Sequence, residues 1–117
     1  MNSANSIAAI SKFEVIDGNA EEFLQLLREH ARKALHEDSG CQRFGIFRQS
    51  AASFFSNELY DSDAAFKNHE ASARSASFNA AAKPLLKSHE RMTGESVEHF
   101  EREHGIHPSD LNATNDD

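Results

Sequence analysis

An α+β fold, with a four-stranded antiparallel sheet and both helices on one face, follows from three features of this 117-residue chain. Segments of strand and helix periodicity alternate in the order strand, helix, strand, strand, helix, strand. The two central strand-like runs are separated only by the short polar stretch "SAA", which makes them an antiparallel pair. The outer strand-helix-strand units then split around that pair and place both helices on the same side.

The elements can be justified in turn. "IAAISKFEVI", residues 7–16, reads as a strand; "DGN" closes it and offers Asn19 as a helix cap. From Ala20 to about His36, Phe23, Leu26, Leu27, His30, Ala31 and Ala34 form one stripe at helical spacing. Glu21 and Glu22 sit early in it and Arg28, Arg32 and Lys33 late, as the helix dipole favours. "EDSG" stops this helix, and "CQRFGIFRQ" (41–49) and "SFFSNELY" (53–60) form the strand pair. Asp61 or Ser62 caps the next helix, which breaks near Ser72–Ser75. A second helical piece, "SFNAAAKPLLKSHERM", is kinked or restarted at Pro84 and ended by Gly94, and "ESVEHFE", 95–101, is the expected last strand.

The folded domain is expected over residues 7–100, between an N-terminal tail, 1–6, and an acidic tail, 101–117. The acidic tail holds five acids against Arg102 and so carries −4 of the net charge of −7. It reads as solvated and mobile, with Ile106 and Leu111 its only means of packing on a partner. The net negative charge and the lack of a basic, aromatic-laced patch argue against nucleic acid and against an anionic membrane as partners. Cys41, the single cysteine, allows no internal disulfide, and no signal segment or long apolar run is present, so a cytoplasmic location is expected. Cys41 opens a strand, where a small buried residue fits, and has no evident activating partner. No set of histidines has metal-ligand spacing apart from His104 and His107 in the tail; no metal is expected.

The order of four short patterns resembles the antibiotic biosynthesis monooxygenase family. "VIDGNAEEF" resembles that family's V-x-P-G-x-x-E-E-F, and "EDSGCQRFGIFRQ" its E-P-G-C-x-x-Y-x-L-x-x-D. "SFFSNELYDSDAAFKNHEAS" is similar to F-x-L-x-E-x-Y-x-S-x-x-A-x-x-x-H-x-x-S, and "AAAKPLL" matches the second helix end. The resemblance covers residues 7–100 and implies a ferredoxin-like domain, a homodimer joined through its sheets as a dimeric α+β barrel, and a cavity between sheet and helices for a small-molecule substrate. Family members include oxygenases of quinols and polyketide aromatics that use no cofactor, haem-degrading enzymes and an isomerase of a phosphorylated autoinducer sugar. Haem degradation is disfavoured, because those members rely on a tryptophan and this chain has none. Where the family often has S-x-H-F, this chain reads "SARS", placing Arg74 at the second histidine's position. That cation would suit an acidic or phosphorylated substrate.

The residues themselves point to proton abstraction. Cofactor-free oxygenation needs a base to ionise a phenol or enol in a water-excluding pocket, and isomerisation of a hydroxy-ketone needs the same base beside the C–H with donors on the enolate oxygen. His69 is the leading base, because Phe66 and Ala73 flank it at i−3 and i+4 on a helical stripe and histidine ordinarily titrates closest to neutral pH. The plain alternative is a partly buried ring satisfied by a backbone carbonyl; the resemblance favours the base. Glu58 and Tyr60 share a strand face with Phe54 and Ser56, whereas Asn57 faces the opposite way, so only one of Glu58 and Asn57 can enter the cavity. Glu58 either meets an Arg at a dimer interface or orients His69. Tyr60 is expected in the core with its hydroxyl at the rim. His30, on the inward stripe of the first helix, either approaches His69 or lies at the helix edge. The expected function is a cofactor-independent monooxygenase of a quinol, enol or similar small compound, with a phosphoketose-type isomerase or a non-catalytic binding dimer as alternatives. The expected site comprises His69 and Glu58 as catalytic groups, with Tyr60, Phe66, Arg74, His30 and Asn57 around the substrate.

Overall fold

The computed structural model describes residues 5–98, 100 and 102. β1 (Ile7–Val15), α1 (Ala20–Glu37), β2 (Cys41–Ser50), β3 (Ser53–Tyr60), α2 (Asp63–Glu70), α3 (Ala73–Ala82) and β4 (Leu86–Glu95) follow in order, with a 3-10 turn at Lys83–Leu85 leading into β4. The sheet runs β2-β3-β1-β4 with every neighbouring pair antiparallel, the ferredoxin-like α+β arrangement expected from the sequence. Along β1 the side chains of Ile7, Ala9, Ser11, Phe13 and Val15 are buried under the helices while those between them turn outward. This is the period-two alternation of a sheet covered on one face.

The last strand is not where the sequence pattern places it. "LLKSHERM" is strand rather than helix, and β4 ends at Glu95, where the expected strand 95–101 would begin. Pro84 decides this: its ring and missing N–H stop α3 at Ala82 and leave one 3-10 turn, after which the chain extends along β1. The register sets His89 opposite Phe13, Arg91 opposite Ser11 and Thr93 opposite Ala9. All three therefore share the covered face, whose neighbours are too polar to show an apolar alternation. Part of the expected 95–101 strand, and the acidic tail beyond Arg102, lie outside the described residues.

Local signals fix the helices. Ser62 caps α2, its hydroxyl accepting from Ala65 N at 3.1 Å, and Ser72 caps α3 by accepting from Ser75 N at 3.1 Å. Asn19 occupies the N-cap of α1 without a side-chain capping bond, so only half of that expectation holds. A Cβ at Gly40 would overlap Ala65 Cβ, so glycine there lets the first turn of α2 lie directly on the start of β2. The main core joins Phe13, Val15, Phe23, Leu24, Leu27, Phe54, Ala82 and Leu85; a second cluster joins Ala34, Cys41 and Tyr60. Buried alongside them are Ser11, Ser56, Glu58 and His69. So many polar groups inside a domain of this size require partners, and tracing those partners defines the site. Among the described residues, no helix is long and apolar enough to cross a membrane.

Candidate active site

α2 carries His69 in its last turn and turns the ring inward, leaving it 2 % exposed. The anchors of His69 come from the end of α1 and the start of α3. Nδ1 lies 2.7 Å from Oδ2 of Asp38, the C-cap of α1; a carboxylate only accepts, so Nδ1 carries the proton. Arg74 Nη2 donates to the same Asp38 oxygen, and Arg74 Nη1 donates to Glu37 Oε1 at 2.9 Å. Partial burial pushes the Asp38 carboxyl up, but the hydrogen bonds and charge of Arg74 and His69 outweigh it and hold Asp38 below its ordinary value. The backbone of His69 is fixed as well, its carbonyl accepting from Ser72 Oγ at 2.8 Å and from Ser75 Oγ at 2.7 Å.

With Nδ1 committed to Asp38, Nε2 is the nitrogen left to meet a ligand. Ser75 Oγ is 3.4 Å away with its proton directed to the His69 carbonyl, and Glu58 Oε1 is 3.8 Å away. Neither fills the Nε2 lone pair. The ring borders a cavity of about 80 Å³ to the centres of water-sized spheres, several times the roughly 10–15 Å³ that one water needs. Phe13, Phe44 and Phe78 supply apolar walls; Glu58, Arg91, His30 and Ser56 supply polar ones. Exposed Asn79, Glu70 and His89 also line the cavity and place its opening between α3 and β4.

Glu58 accepts three hydrogen bonds in this cavity. Its Oε1 accepts from the Tyr60 hydroxyl at 2.6 Å and from Arg91 Nη2 at 3.2 Å, and its Oε2 accepts from Arg91 Nη1 at 2.9 Å. Arg91 also reaches Glu70 Oε2 at 2.7 Å and Ser11 Oγ at 2.8 Å. Burial alone would lower the Arg91 guanidinium, but Glu58 and Glu70 raise it, so it is a fixed cation. Burial and the neighbouring Glu58 raise the Tyr60 hydroxyl, which stays protonated as a donor. His30 stacks on Phe78 with ring centroids 4.4 Å apart and lies 5.3 Å from the His69 ring. Desolvation, followed by the charge of His69, pulls His30 down to about 4, so it is a neutral ring at pH 7.

The sequence-derived residues thus divide. His69, His30 and Glu58 meet at the cavity, and Glu58 rather than Asn57 is the β3 residue that enters it. Glu58 does not orient His69, which Asp38 does, and its Arg partner belongs to the same chain. Tyr60 is fully buried with its hydroxyl on Glu58 rather than at a rim. Phe66 packs against Tyr60, at 5.5 Å between centroids, outside the cavity wall. Arg74 does not face the cavity either: it is spent on Asp38 and Glu37, which removes the main argument for a phosphorylated substrate. Ala73 opens α3 and so does not continue the stripe of His69. Two residues of the site, Asp38 and Arg91, escape sequence reasoning. Asp38 reads as part of a helix stop, and Arg91 lies in a segment whose pattern suggests helix. Burial pushes the Cys41 thiol up to about 11, in keeping with a structural residue. No cluster of three or more metal-ligating side chains occurs among the described residues.

Comparison with known proteins supplies the family. The sequence profile of antibiotic biosynthesis monooxygenases matches residues 6–81, well over half of the chain. The chain belongs to the antibiotic biosynthesis monooxygenase family. Solved structures of similar fold include a Caulobacter crescentus CB15 protein provisionally assigned as an antibiotic biosynthesis monooxygenase, at 22% identity and a TM-score of 0.76, covering 82% of this chain and 93% of that one. PA3566 from Pseudomonas aeruginosa aligns at 18% identity and a TM-score of 0.72, over 84% of this chain and 100% of that one. NE2512 from Nitrosomonas europaea, a protein of unknown function, aligns at 16% and 0.73, over 87% and 99%. At these identities the likeness to antibiotic biosynthesis monooxygenase structures concerns the fold. No curated protein matches the chain.

Proposed function

We propose that this protein is a cofactor-independent monooxygenase of a small quinol or related phenol, with His69 as general base. The observation that carries the reading is the His69 ring itself: Nδ1 is held by Asp38 at 2.7 Å while Nε2 borders a cavity walled by three phenyl rings. Asp38 fixes the tautomer that leaves Nε2 as acceptor, and Glu58, 3.8 Å from Nε2, favours the imidazolium once a proton arrives. The Arg91 cation among these carboxylates keeps the site from becoming too negative to hold a phenolate.

The chemistry balances without an added reductant. Nε2 takes the phenolic proton, the ionised ring passes one electron to dioxygen, and the two radicals combine through a new C–O bond as a hydroperoxide. Cleavage of its O–O bond with loss of the ring C–H proton leaves a carbonyl on carbon and releases water. A quinol and dioxygen would thus give a hydroxyquinone and water. The ring loses a pair of hydrogens and gains a single oxygen atom, and all the electrons that reduce dioxygen come from the substrate. The three phenyl walls serve this step by giving dioxygen and the neutral quinone an apolar surface. A panel of quinols, enols and phosphorylated ketoses, followed by oxygen uptake and by NMR of the products, tests the reading. Equimolar consumption of dioxygen and quinol, with a single oxygen atom gained by the product, is expected. Isomerised ketose without oxygen uptake would replace the proposal with the isomerase reading.

This reading includes a homodimer through the outer face of the sheet. Ile10, Phe47, Phe55 and Met92 are exposed there, with Phe47 and Phe55 stacked 5.0 Å apart. An apolar area of this kind on a soluble chain favours a partner. Sedimentation at micromolar concentration should give twice the chain mass, and Phe47→Glu should shift it to one. A wild-type monomer at that concentration would remove the dimer from the proposal.

A further inference from the structure

Nearly every polar group around the cavity has a partner within the chain. Glu58 accepts three hydrogen bonds, Arg91 serves Glu58, Glu70 and Ser11, and Ser75 serves the His69 carbonyl. Two buried atoms do not. His30 Nδ1 and Ser56 Oγ are shielded from solvent and have no hydrogen-bond partner among the described residues, although both side chains line the same cavity. His30 is 8 % exposed and Ser56 fully buried. Buried polar atoms are satisfied in the great majority of cases, because an unpaired one costs about 1–3 kcal/mol. Two unpaired atoms on side chains that line one cavity are unmet hydrogen-bonding capacity beside it.

The chemistry of the pair narrows what that is. A serine hydroxyl can give or take a hydrogen bond, and a nitrogen of a neutral imidazole gives or takes one according to its tautomer. A neutral hydroxyl, which both gives and takes, answers either tautomer, whereas a carboxylate or phosphate answers only the protonated nitrogen. Burial keeps His30 neutral at pH 7, consistent with an uncharged partner. Phe78, on which His30 stacks, and Phe44, set edge-on to it at 5.7 Å, are apolar walls of the same cavity beside these atoms.

We infer that His30 and Ser56 form a selectivity subsite that binds a substrate oxygen other than the one His69 deprotonates, so that the cavity prefers a ring with two oxygen functions over a ring with one. The inference rests on the proposed ring oxygenation for its account of the first oxygen, but it makes a prediction about binding alone. The test is anaerobic titration, by calorimetry or by NMR shifts, with hydroquinone and phenol and with their naphthalene counterparts.

Wild-type protein should bind each dihydroxy compound more tightly than its monohydroxy analogue. Ser56→Ala should reduce affinity for the dihydroxy compounds roughly five- to tenfold, the value of one hydrogen bond, and leave the monohydroxy compounds unchanged. Because Ser56→Ala removes an unpaired hydroxyl, its melting temperature should be unchanged or higher. His30→Phe, which keeps the stacked ring and loses the nitrogen, should show the same selective loss. If His30→Phe fails to fold, Ser56→Ala alone decides. Equal loss for both classes, no loss, or a melting temperature several degrees lower with affinity intact would overturn the inference and assign Ser56 to an internal water. Selective binding without any oxygen uptake would keep the subsite and discard the oxygenase; oxygen uptake without selectivity would do the reverse.

Discussion

Turnover will fall roughly 10²- to 10⁴-fold when His69 is replaced by Gln, the range ordinarily supplied by a positioned general base. Folding should be nearly unaffected. Gln can still offer an amide donor to Asp38 and roughly fills the space of a ring buried against Tyr60, whose centroid is 5.1 Å away. What it cannot do is accept a substrate proton and hold it beside Glu58. The loss should therefore appear in kcat and in kcat/KM alike, as for a group that acts in the transition state. Retained activity together with a loss of several kcal/mol in stability would make His69 a core residue and end its catalytic assignment.

The second large effect is on stability. Arg91→Met should destabilise the fold by about 3–5 kcal/mol, the usual cost of leaving one partner of a buried ion pair alone. Glu58 has a side chain 3 % exposed and would keep only the Tyr60 hydroxyl, while Glu70, at 43 %, would turn to water without penalty. Denaturant unfolding at fixed protein concentration measures it, as a lower midpoint at nearly unchanged slope. Adding Glu58→Gln to Arg91→Met should recover part of the loss, because the buried charge then disappears. A change of under about 1 kcal/mol for Arg91→Met would mean that water reaches Glu58 readily, and the cavity would have to be regarded as open rather than dry.

The fold is legible because its elements carry independent local marks. α1 has a stripe and a dipole-matched charge order, β2 and β3 are joined by a two-residue turn, and α2 has a serine cap. β4 lacks such marks. Its residues on the covered face, His89, Arg91 and Thr93, are polar, the first two because they line a polar site, so the strand period is invisible in hydropathy. The site suffers from the same cause. His69, His30 and Glu58 can be placed from periods of 3.6 and 2 within single elements, but their partners are remote: Asp38 is 31 residues from His69 and Arg91 is 33 from Glu58. Pairing over such distances is decided by strand register and by helix ends, which the local sequence does not encode. Arg74 shows the converse error. An arginine near a cavity helix reads as a group for the ligand, whereas two acids at the end of α1 have a prior claim on it.

The break between α2 and α3 gives a meaning to the spacing of His69 and Ser72. Ser72 caps α3 with its hydroxyl and backs the His69 carbonyl with the same oxygen, so the serine is a joiner's pin between two helices rather than a reagent. The interval of three residues is thereby a structural measure: one residue more or less would turn the imidazole by about 100° around the axis of α2 and away from Asp38. In this chain the stretch His69 to Ser72 is then best treated as a single mark of an anchored ring, in which Asp38 orients the imidazole and the serine holds the backbone that presents it.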